Sequence, residues 1–301
     1  MFKAYGDIFA HRAHLYHRAM ELYPHAREEE FGRLLQLADI RPGHVICDIP
    51  SGGGYMRSRL PSSVSCVHIE TSRAFAEGCR RNGAGDVLLS RLDTFPIKAA
   101  SIDRIISLAA LHHIEDKGRF FREAHRVLKD GGILCIGDVH AHSRVAAFLE
   151  GFVHEHNPMG HRGLYIDAGI GPELERQGFQ VARASRIPFQ WRFESISAMA
   201  TFCRLLFGTD RATSEDMLDG LRRYLGCAVQ DQACALNWEL YFVQAIRTPG
   251  GRPRSRFSRD GVEGIGGISK LAEPMAHVQA IGRGIGLGIR RLMGPQVRLI
   301  I

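Results

Sequence analysis

The 301-residue sequence is 45% hydrophobic, so it can form one large α/β domain or one domain with a cap. Residues 247–301 hold ten Lys/Arg against three Asp/Glu, an excess of seven that equals the chain's formal charge of +7, so the rest is neutral overall. The seven cysteines show no CxxC spacing, which argues against a disulfide framework. No segment reaches the roughly 18 apolar residues of a membrane span, which argues against a transmembrane protein. A soluble cytoplasmic protein is predicted.

Residues 1–40 are predicted to form a helical N-terminal cover. Tyr5, Phe9 and Tyr16 fall close to one face of a first helix, and a second helix is predicted over residues 26–37.

A short apolar strand is predicted to end at Asp48 and to run into a glycine-rich turn. Residues 45–54 read Val-Ile-Cys-Asp-Ile-Pro-Ser-Gly-Gly-Gly. Glycine has no side chain and tolerates positive φ, so such a strand–turn–helix junction lets a ligand approach bare backbone. The glycines do not complete the GxGxxG pattern in either register, which argues against NAD or FAD. A cofactor without phosphates is therefore favoured.

A second apolar run, residues 64–69, stops at Glu70, which lies twenty-two residues after Asp48. A carboxylate at the tip of the second strand of a Rossmann-like sheet is placed to bind a ribose diol. The two acids together predict a cofactor that contains a nucleoside.

Five features in this order resemble the class I S-adenosylmethionine-dependent methyltransferases. The similar features are the turn at 48–54, Glu70, the loop Asp93-Thr94-Phe95-Pro96, residues 101–113 and residues 121–139. One position departs from the family pattern, because Pro50 stands where the family usually has glycine. We therefore expect a stiffer turn there.

The resemblance implies an α/β fold with a doubly wound, seven-stranded Rossmann-like methyltransferase sheet over residues 41–247, and it implies S-adenosylmethionine as the cofactor. Asp48 would accept a hydrogen bond from its ammonium group, Glu70 from both ribose hydroxyls and Asp93 from the adenine amine. The other cofactor contacts that the resemblance implies are Pro50, Ser51, Gly52, Gly54, Thr71, Thr94 and Ala109.

In this family a leading helical segment often folds over the cofactor and the acceptor. Tyr5, Tyr16 and Arg27 are then candidate contacts. The alternative is that these side chains only pack the cover onto the sheet.

The later part of the chain is predicted to carry the acceptor specificity. A sixth strand is predicted over 179–187 and a seventh, antiparallel strand over 236–247, with a helical insertion at about 189–232 between them. Helices are predicted at 195–207 and 213–225 within this insertion. Its aromatic residues are Phe189, Trp191, Phe193, Phe202 and Phe207. They form either an apolar lid for a planar or lipophilic acceptor or simple packing onto the sheet.

Histidines are the candidate catalytic groups, because a hydroxyl or amine acceptor must lose a proton and a neutral imidazole can take it near neutral pH. His113 and His140 are the candidate bases, since His140 follows the fifth strand. His154-Glu-His156 is not the HExxH arrangement, so no metal site is predicted.

Residues 248–301 are predicted to be a flexible, basic Gly/Arg-rich tail, with at best a weak amphipathic helix over 276–294. Its charge would suit weak contact with an anionic membrane surface or nucleic acid, but a solvated tail without nucleic acid is the prediction. The predicted activity is methyl transfer from S-adenosylmethionine to a small-molecule acceptor by in-line displacement. Two alternatives stay open: a methyltransferase of RNA or another macromolecule, and a cofactor-binding partner protein without activity.

Overall fold

The computed structural model describes residues 5–85, 87–230, 233–250 and 279–280, and a single β-sheet forms its centre. The strands are β1 Val45–Asp48, β2 Ser65–Glu70, β3 Val87–Leu89, β4 Ile102–Leu108, β5 Leu128–Asp138, β6 Phe179–Phe193, β7 Cys227–Gln230, β8 Ala233–Arg247 and β9 Gln279–Ala280. Their order is β6-β8-β5-β4-β1-β2-β3-β9, with β7 paired to β8. The predicted Rossmann-like sheet is confirmed, and β7 and β9 add to its seven predicted strands.

The first five strands are parallel and their order reverses at β1. Asp48 at the end of β1 lies opposite His68 on β2 and Ile106 on β4. The chain moves outward through β2 and β3 on one side and through β4 and β5 on the other. Open α/β sheets bind ligands at the carboxyl edge of such a switch point. Three strands end there in an acid, namely Asp48, Glu70 and Asp138.

The helices cover both faces of the sheet. They are α1 Tyr5–Leu22, α2 Glu28–Ala38, α3 Arg73–Arg81, α4 Lys117–Val127, α5 Arg144–Phe148, α6 His154–His156, α7 Ile170–Arg176, α8 Ile196–Phe207 and α9 Ser214–Tyr224. A π-helical turn, Leu149–Val153, joins α5 to α6. On α2, the buried side chains of Phe31, Leu34 and Leu37 belong to the core on one face of the sheet, and α4 supplies Phe120 and Phe121 to the core on the other.

The helix expected directly after the glycine turn is absent from the structure. Residues 51–60 instead form turns and a short 3-10 helix, Arg57–Arg59. The cause is local, because Gly52, Gly53 and Gly54 have φ angles of 55°, 94° and 80°, whereas a right-handed helix needs φ near −63°. The glycine turn therefore does not lead into the helix that the sequence had indicated.

The late helical insertion is confirmed. Helices α8 and α9 begin at capped residues, with Ser195 capping α8 and a Thr213/Asp216 capping box starting α9. Strand β8 is antiparallel to both β5 and β6, as predicted for the seventh strand. Strand β6 continues past the predicted end at 187 because β8 extends beyond the sheet and pairs with it as far as Phe193.

The predicted tail, including the helix over 276–294, lies outside the described residues except for 248–250 and 279–280. Within the described part of the chain, no helix combines the length and the apolar character that crossing a bilayer would require. The division into residues 1–40, 41–247 and 248–301 stays a prediction.

Candidate active site

The glycine turn after β1 is held closed by Glu70. The amide of Gly52 donates to Oε1 of Glu70 at 2.7 Å, and the amides of Thr71 and Ser72 donate to Oε2 at 2.9 and 3.3 Å. The carboxylate is completely buried, so these backbone donors replace the water that it gives up. Glu70 thus joins the ends of β1 and β2 in this conformation.

Helix α1 covers the same turn. A Cβ atom on Gly53 would lie 2.6 Å from Cε1 of His17, so only glycine lets this ring approach. Nδ1 of His17 is 2.8 Å from the hydroxyl of Tyr55, which fixes the ring in place. Burial lowers the pKa of His17. The N-terminal cover therefore lies directly on the glycine turn.

Gly78 on α3 also lies against the His17 ring, and Gly78→Ala tests this contact. The added Cβ would lie 2.1 Å from Cε1 of His17, so we expect the free energy of unfolding to fall by about 1–3 kcal/mol, as for other overpacked sites. Urea unfolding measures the change. Gly32→Ala on α2 is the matched control, because nothing lies within 4 Å of its added Cβ and helix propensity alone should stabilise it by up to about 1 kcal/mol.

In a chain that already carries His17→Ala, the ring that meets the added Cβ is gone. Gly78→Ala should therefore lower the free energy of unfolding much less in that chain than in the parent. Equal stability of Gly78→Ala and the parent chain would show that α1 does not hold His17 against α3.

The buried polar atoms that have no hydrogen-bond partner in the structure include two oxygens at this edge, Oδ2 of Asp48 and Oγ1 of Thr71. Nδ1 of His68 lies 3.4 Å from that Asp48 oxygen, but in a geometry that makes no hydrogen bond. Burial raises the pKa of Asp48. Unpaired buried acceptors are costly, so they mark places where a ligand can donate. They fit a ligand that carries an ammonium group and hydroxyl groups, as the implied cofactor does.

Several of the other implied cofactor contacts already form hydrogen bonds or packing contacts within the protein. The Ser51 hydroxyl donates to the carbonyls of Asp48 and Ile69. Pro50 follows a cis peptide bond, and Gly54 packs against α3. Asp93 accepts two hydrogen bonds of 2.8 Å from Arg91, which lower its pKa, and Thr94 donates to it. Both oxygens of Asp93 are therefore held by protein groups.

A cavity of about 860 Å³, including the part that opens to solvent, lies at the ends of β4 and β5, where Ala109 and Val139 line it. Ala109, which follows β4 with a positive φ of 50°, lines it together with His112 and His113. A positive φ in alanine is strained and is common at functional sites. Of the leading segment's candidates, Tyr16 and Arg27 also line it, whereas nothing is described of the side chain of Tyr5.

One wall of the cavity is aromatic. Trp191 and Trp238 stack at 4.2 Å between ring centroids with 19° between their planes, and Phe207 lies against both at similarly small angles. The other three aromatic residues of the insertion do not line the cavity: Phe193 and Phe202 pack against one another, and Phe189 packs against Phe242. The packing interpretation thus applies to these three rings, and a lid for the acceptor stays a prediction for Trp191 and Phe207.

A buried ion pair forms a second wall. Arg27 donates to both oxygens of Glu30 at 2.7 and 2.8 Å and to the Tyr16 hydroxyl at 2.9 Å. Nε1 of Trp191 donates to Oε2 of Glu30 at 2.9 Å. Burial alone would lower the pKa of Arg27, but Glu30 and Tyr16 raise it above its usual value. The pair joins the cover to the aromatic wall.

Histidines form the third wall. Nδ1 of His112 is 2.6 Å from Oδ1 of Asp138, whose other oxygen accepts from the amides of Ala110 and Leu111. Burial and the neighbouring imidazoles lower the pKa of His161 to about 3 and that of His113 well below its usual value. These rings are therefore neutral near pH 7.

His140 lies elsewhere, against Tyr241 and His142, and is not part of the cavity lining. The structure thus brings His113 to the cavity and leaves His140 outside it.

Sequence reasoning missed Glu30, His112, Asp138, His161 and Trp238. Asp138 had a usable signal, since it ends the fifth strand as Asp48 and Glu70 end theirs.

The comparisons with known proteins agree with this geometry. The family model of a methyltransferase domain matches residues 47–136 of this chain. Erythromycin 3''-O-methyltransferase of Saccharopolyspora erythraea is 31% identical over 124 residues, which cover 38% of this chain and 40% of that enzyme. 27-O-demethylrifamycin SV methyltransferase of Amycolatopsis mediterranei is 26% identical over 187 residues, covering 56% of this chain and 69% of the other. The chain thus spans well under half the length of the first of these relatives.

Solved structures share the fold at low identity. The YcgJ protein of Bacillus subtilis has a TM-score of 0.52 at 19% identity and covers 74% of this chain and all of its own. The cyclase SpnF has a TM-score of 0.56 at 14% identity, covering 83% of this chain and 98% of its own. These two likenesses concern the fold alone.

Proposed function

Because the chain belongs to the class I S-adenosylmethionine-dependent methyltransferase family, we propose that it moves a methyl group from this cofactor to a small-molecule acceptor with a planar or lipophilic body. The observation that carries the choice of acceptor is the stacked wall of Trp191, Trp238 and Phe207 beside the strand ends. Aromatic walls bind planar and lipophilic bodies by stacking and by burial of apolar area. The relatives named for erythromycin and rifamycin methylation support a small-molecule acceptor.

The residues at the strand ends fit the cofactor. S-adenosylmethionine supplies, when bound, a methyl group on a positively charged sulfur that a nucleophile displaces in line. Asp48 would accept from its ammonium group and Thr71 offers a second unpaired oxygen. Glu70 would hold the ribose, which requires it to exchange its bond to Gly52 for bonds to the hydroxyls.

The acceptor is held and deprotonated by the cavity walls. The aromatic wall would orient its body, and His113, the predicted base that lines the cavity, would accept its proton. Holding two reactants in line supplies about 7–11 kcal/mol of a barrier, so alignment would give much of the rate.

Calorimetric titration with S-adenosylmethionine, S-adenosylhomocysteine and NAD tests the cofactor first. We expect binding of the first two only, and Asp48→Asn should weaken it by about 1–3 kcal/mol because the charged acceptor is lost. Asp219→Asn, an exposed acid on α9, is the matched control and should bind as the parent does.

Transfer is tested with cofactor labelled in its methyl group and a cell extract separated into small molecules, RNA and protein. Label in the small-molecule fraction, lost in Asp48→Asn, is the expected result. Label that appears only in RNA or protein would contradict the proposed acceptor and would support a macromolecular methyltransferase. Cofactor binding with no transfer to any fraction would favour a partner protein without activity.

We also propose that the protein works in a reducing compartment such as the cytoplasm. All seven cysteines are free thiols and five of them are buried, which suits apolar packing without disulfides.

A further inference from the structure

Three histidines of the cavity lining lie close together. His112 and His113 lie on the short 3-10 helix Leu111–His113 that follows β4, and His161 comes from the loop after α6. The ring centroids of His112 and His113 are 4.1 Å apart, and that of His161 is 5.9 and 5.6 Å from them. One ring nitrogen from each of the three lies within 4.8 Å of the other two. This is the arrangement in which three imidazoles can share one ion.

One of these rings is oriented by a buried acid. Nδ1 of His112 is 2.6 Å from Oδ1 of Asp138, which leaves Nε2 as the nitrogen directed away from that carboxylate. Metal-binding histidines usually have such a carboxylate on their other nitrogen, because it fixes the ring and increases its basicity. Backbone amides of Ala110, Leu111 and Val139 hold Asp138 in turn. The acid also supplies a negative charge next to a cation.

The donor set points to a particular class of ion. Imidazole suits zinc, copper, iron and nickel, and three protein ligands with an open fourth position are typical of catalytic zinc sites. A tetrahedral zinc ion with Zn–N bonds of about 2.1 Å needs ligand nitrogens about 3.4 Å apart, so the rings would move together by roughly an ångström. Lys117 is an opposing cation near His113, but its ammonium group donates to the carbonyl of Ile114.

We propose that His112, His113 and His161 bind one divalent transition-metal ion, zinc being the best match, with its open position facing the cavity. All three residues line this cavity, so a hydroxyl of the acceptor can occupy that position. A bound ion lowers the pKa of such a hydroxyl, so its proton can leave to solvent through the cavity opening, and His113 then acts as a ligand of the ion and not as the base. Only this last role rests on the proposed methyl transfer. The binding of the ion does not.

The test uses the full chain with any tag removed, stripped of metal with a chelator and titrated with zinc chloride in a calorimeter. We expect one ion per chain, and His161→Ala and His113→Ala should each weaken its binding at least about tenfold, the low end of the loss seen even for supporting residues at metal sites. His142→Ala is the control, since this histidine is exposed and outside the cluster. It should bind zinc as the parent does.

Cobalt(II) provides a second readout that a loosely bound surface ion would not give. A tetrahedral cobalt site shows strong visible absorption, which should appear with one equivalent of cobalt and be lost in His161→Ala. Circular dichroism identifies any variant that fails to fold, and His161→Gln then replaces it. Absence of stoichiometric binding, or equal loss in His142→Ala, would overturn the proposal. Both measurements omit cofactor and acceptor, so their failure is distinguishable from failure of the proposed transfer.

Discussion

Arg27→Met is expected to lower the free energy of unfolding by roughly 3–5 kcal/mol, because it leaves the carboxylate of Glu30 buried without its cation. The two side chains are only 6% and 1% exposed, and two hydrogen bonds shorter than 3 Å join them. The Tyr16 hydroxyl loses its hydrogen bond from Arg27 in the same change. Urea unfolding followed by circular dichroism measures the loss.

Helix α2 contains a matched control for this variant. Arg33 pairs with Glu29 at 2.9 Å, but these side chains are 39% and 30% exposed, so Arg33→Met should cost less than about 1 kcal/mol. Equal losses in the two variants would show that burial of the Arg27 pair carries no particular energy.

The double variant Arg27→Met/Glu30→Leu separates the charge from the packing. Replacing both partners of a buried pair by apolar groups is often neutral, so we expect it to be more stable than Arg27→Met alone. Recovery will be incomplete, since Nε1 of Trp191 then lacks its acceptor. A double variant less stable than either single one would mean that the pair is not energetically coupled in this way.

Much of the fold could be predicted because its determinants are local. The strand ending at Asp48 and the caps of α8 and α9 follow from hydrophobic pattern and from side chains within a few residues. The prediction of a helix after the glycine turn was wrong, for a reason that the sequence pattern does not encode. Glycine permits positive φ as readily as negative φ, so the sequence pattern does not tell which of the two Gly52, Gly53 and Gly54 adopt.

The cavity could be predicted only in part because its walls are non-local. Trp191 and Trp238 stack although forty-seven positions separate them in the chain. Glu30, which is still farther from Trp191 in the sequence, accepts a hydrogen bond from its Nε1. Sequence singled out Trp191 and the aromatic lid but gave no partner for either. His161 is one of five histidines between residues 140 and 161, and nothing in its neighbours distinguishes it from His140, which lies outside the cavity.

Glu70→Ala is the second large expected effect, because it changes both the stability of the chain and its affinity for the cofactor. The carboxylate accepts from three backbone amides, and each donor left unpaired in the interior costs about 1–3 kcal/mol. The ends of β1 and β2 should then separate, with a lower midpoint in urea. Glu77→Ala on the exposed face of α3 is the control and should change stability little.

Calorimetry on the folded variant distinguishes the two roles of Glu70. If Glu70 only closes the glycine turn, its removal would free the Gly52 amide and leave the affinity for S-adenosylmethionine unchanged or higher. A residue that also binds the ribose would, once removed, weaken binding by about 1–3 kcal/mol. We expect weakening, since the loss of a charged acceptor outweighs the release of one amide. Unchanged affinity in folded Glu70→Ala would assign this acid to the turn alone and leave Asp48 and Thr71 as the groups at this edge that bind the cofactor.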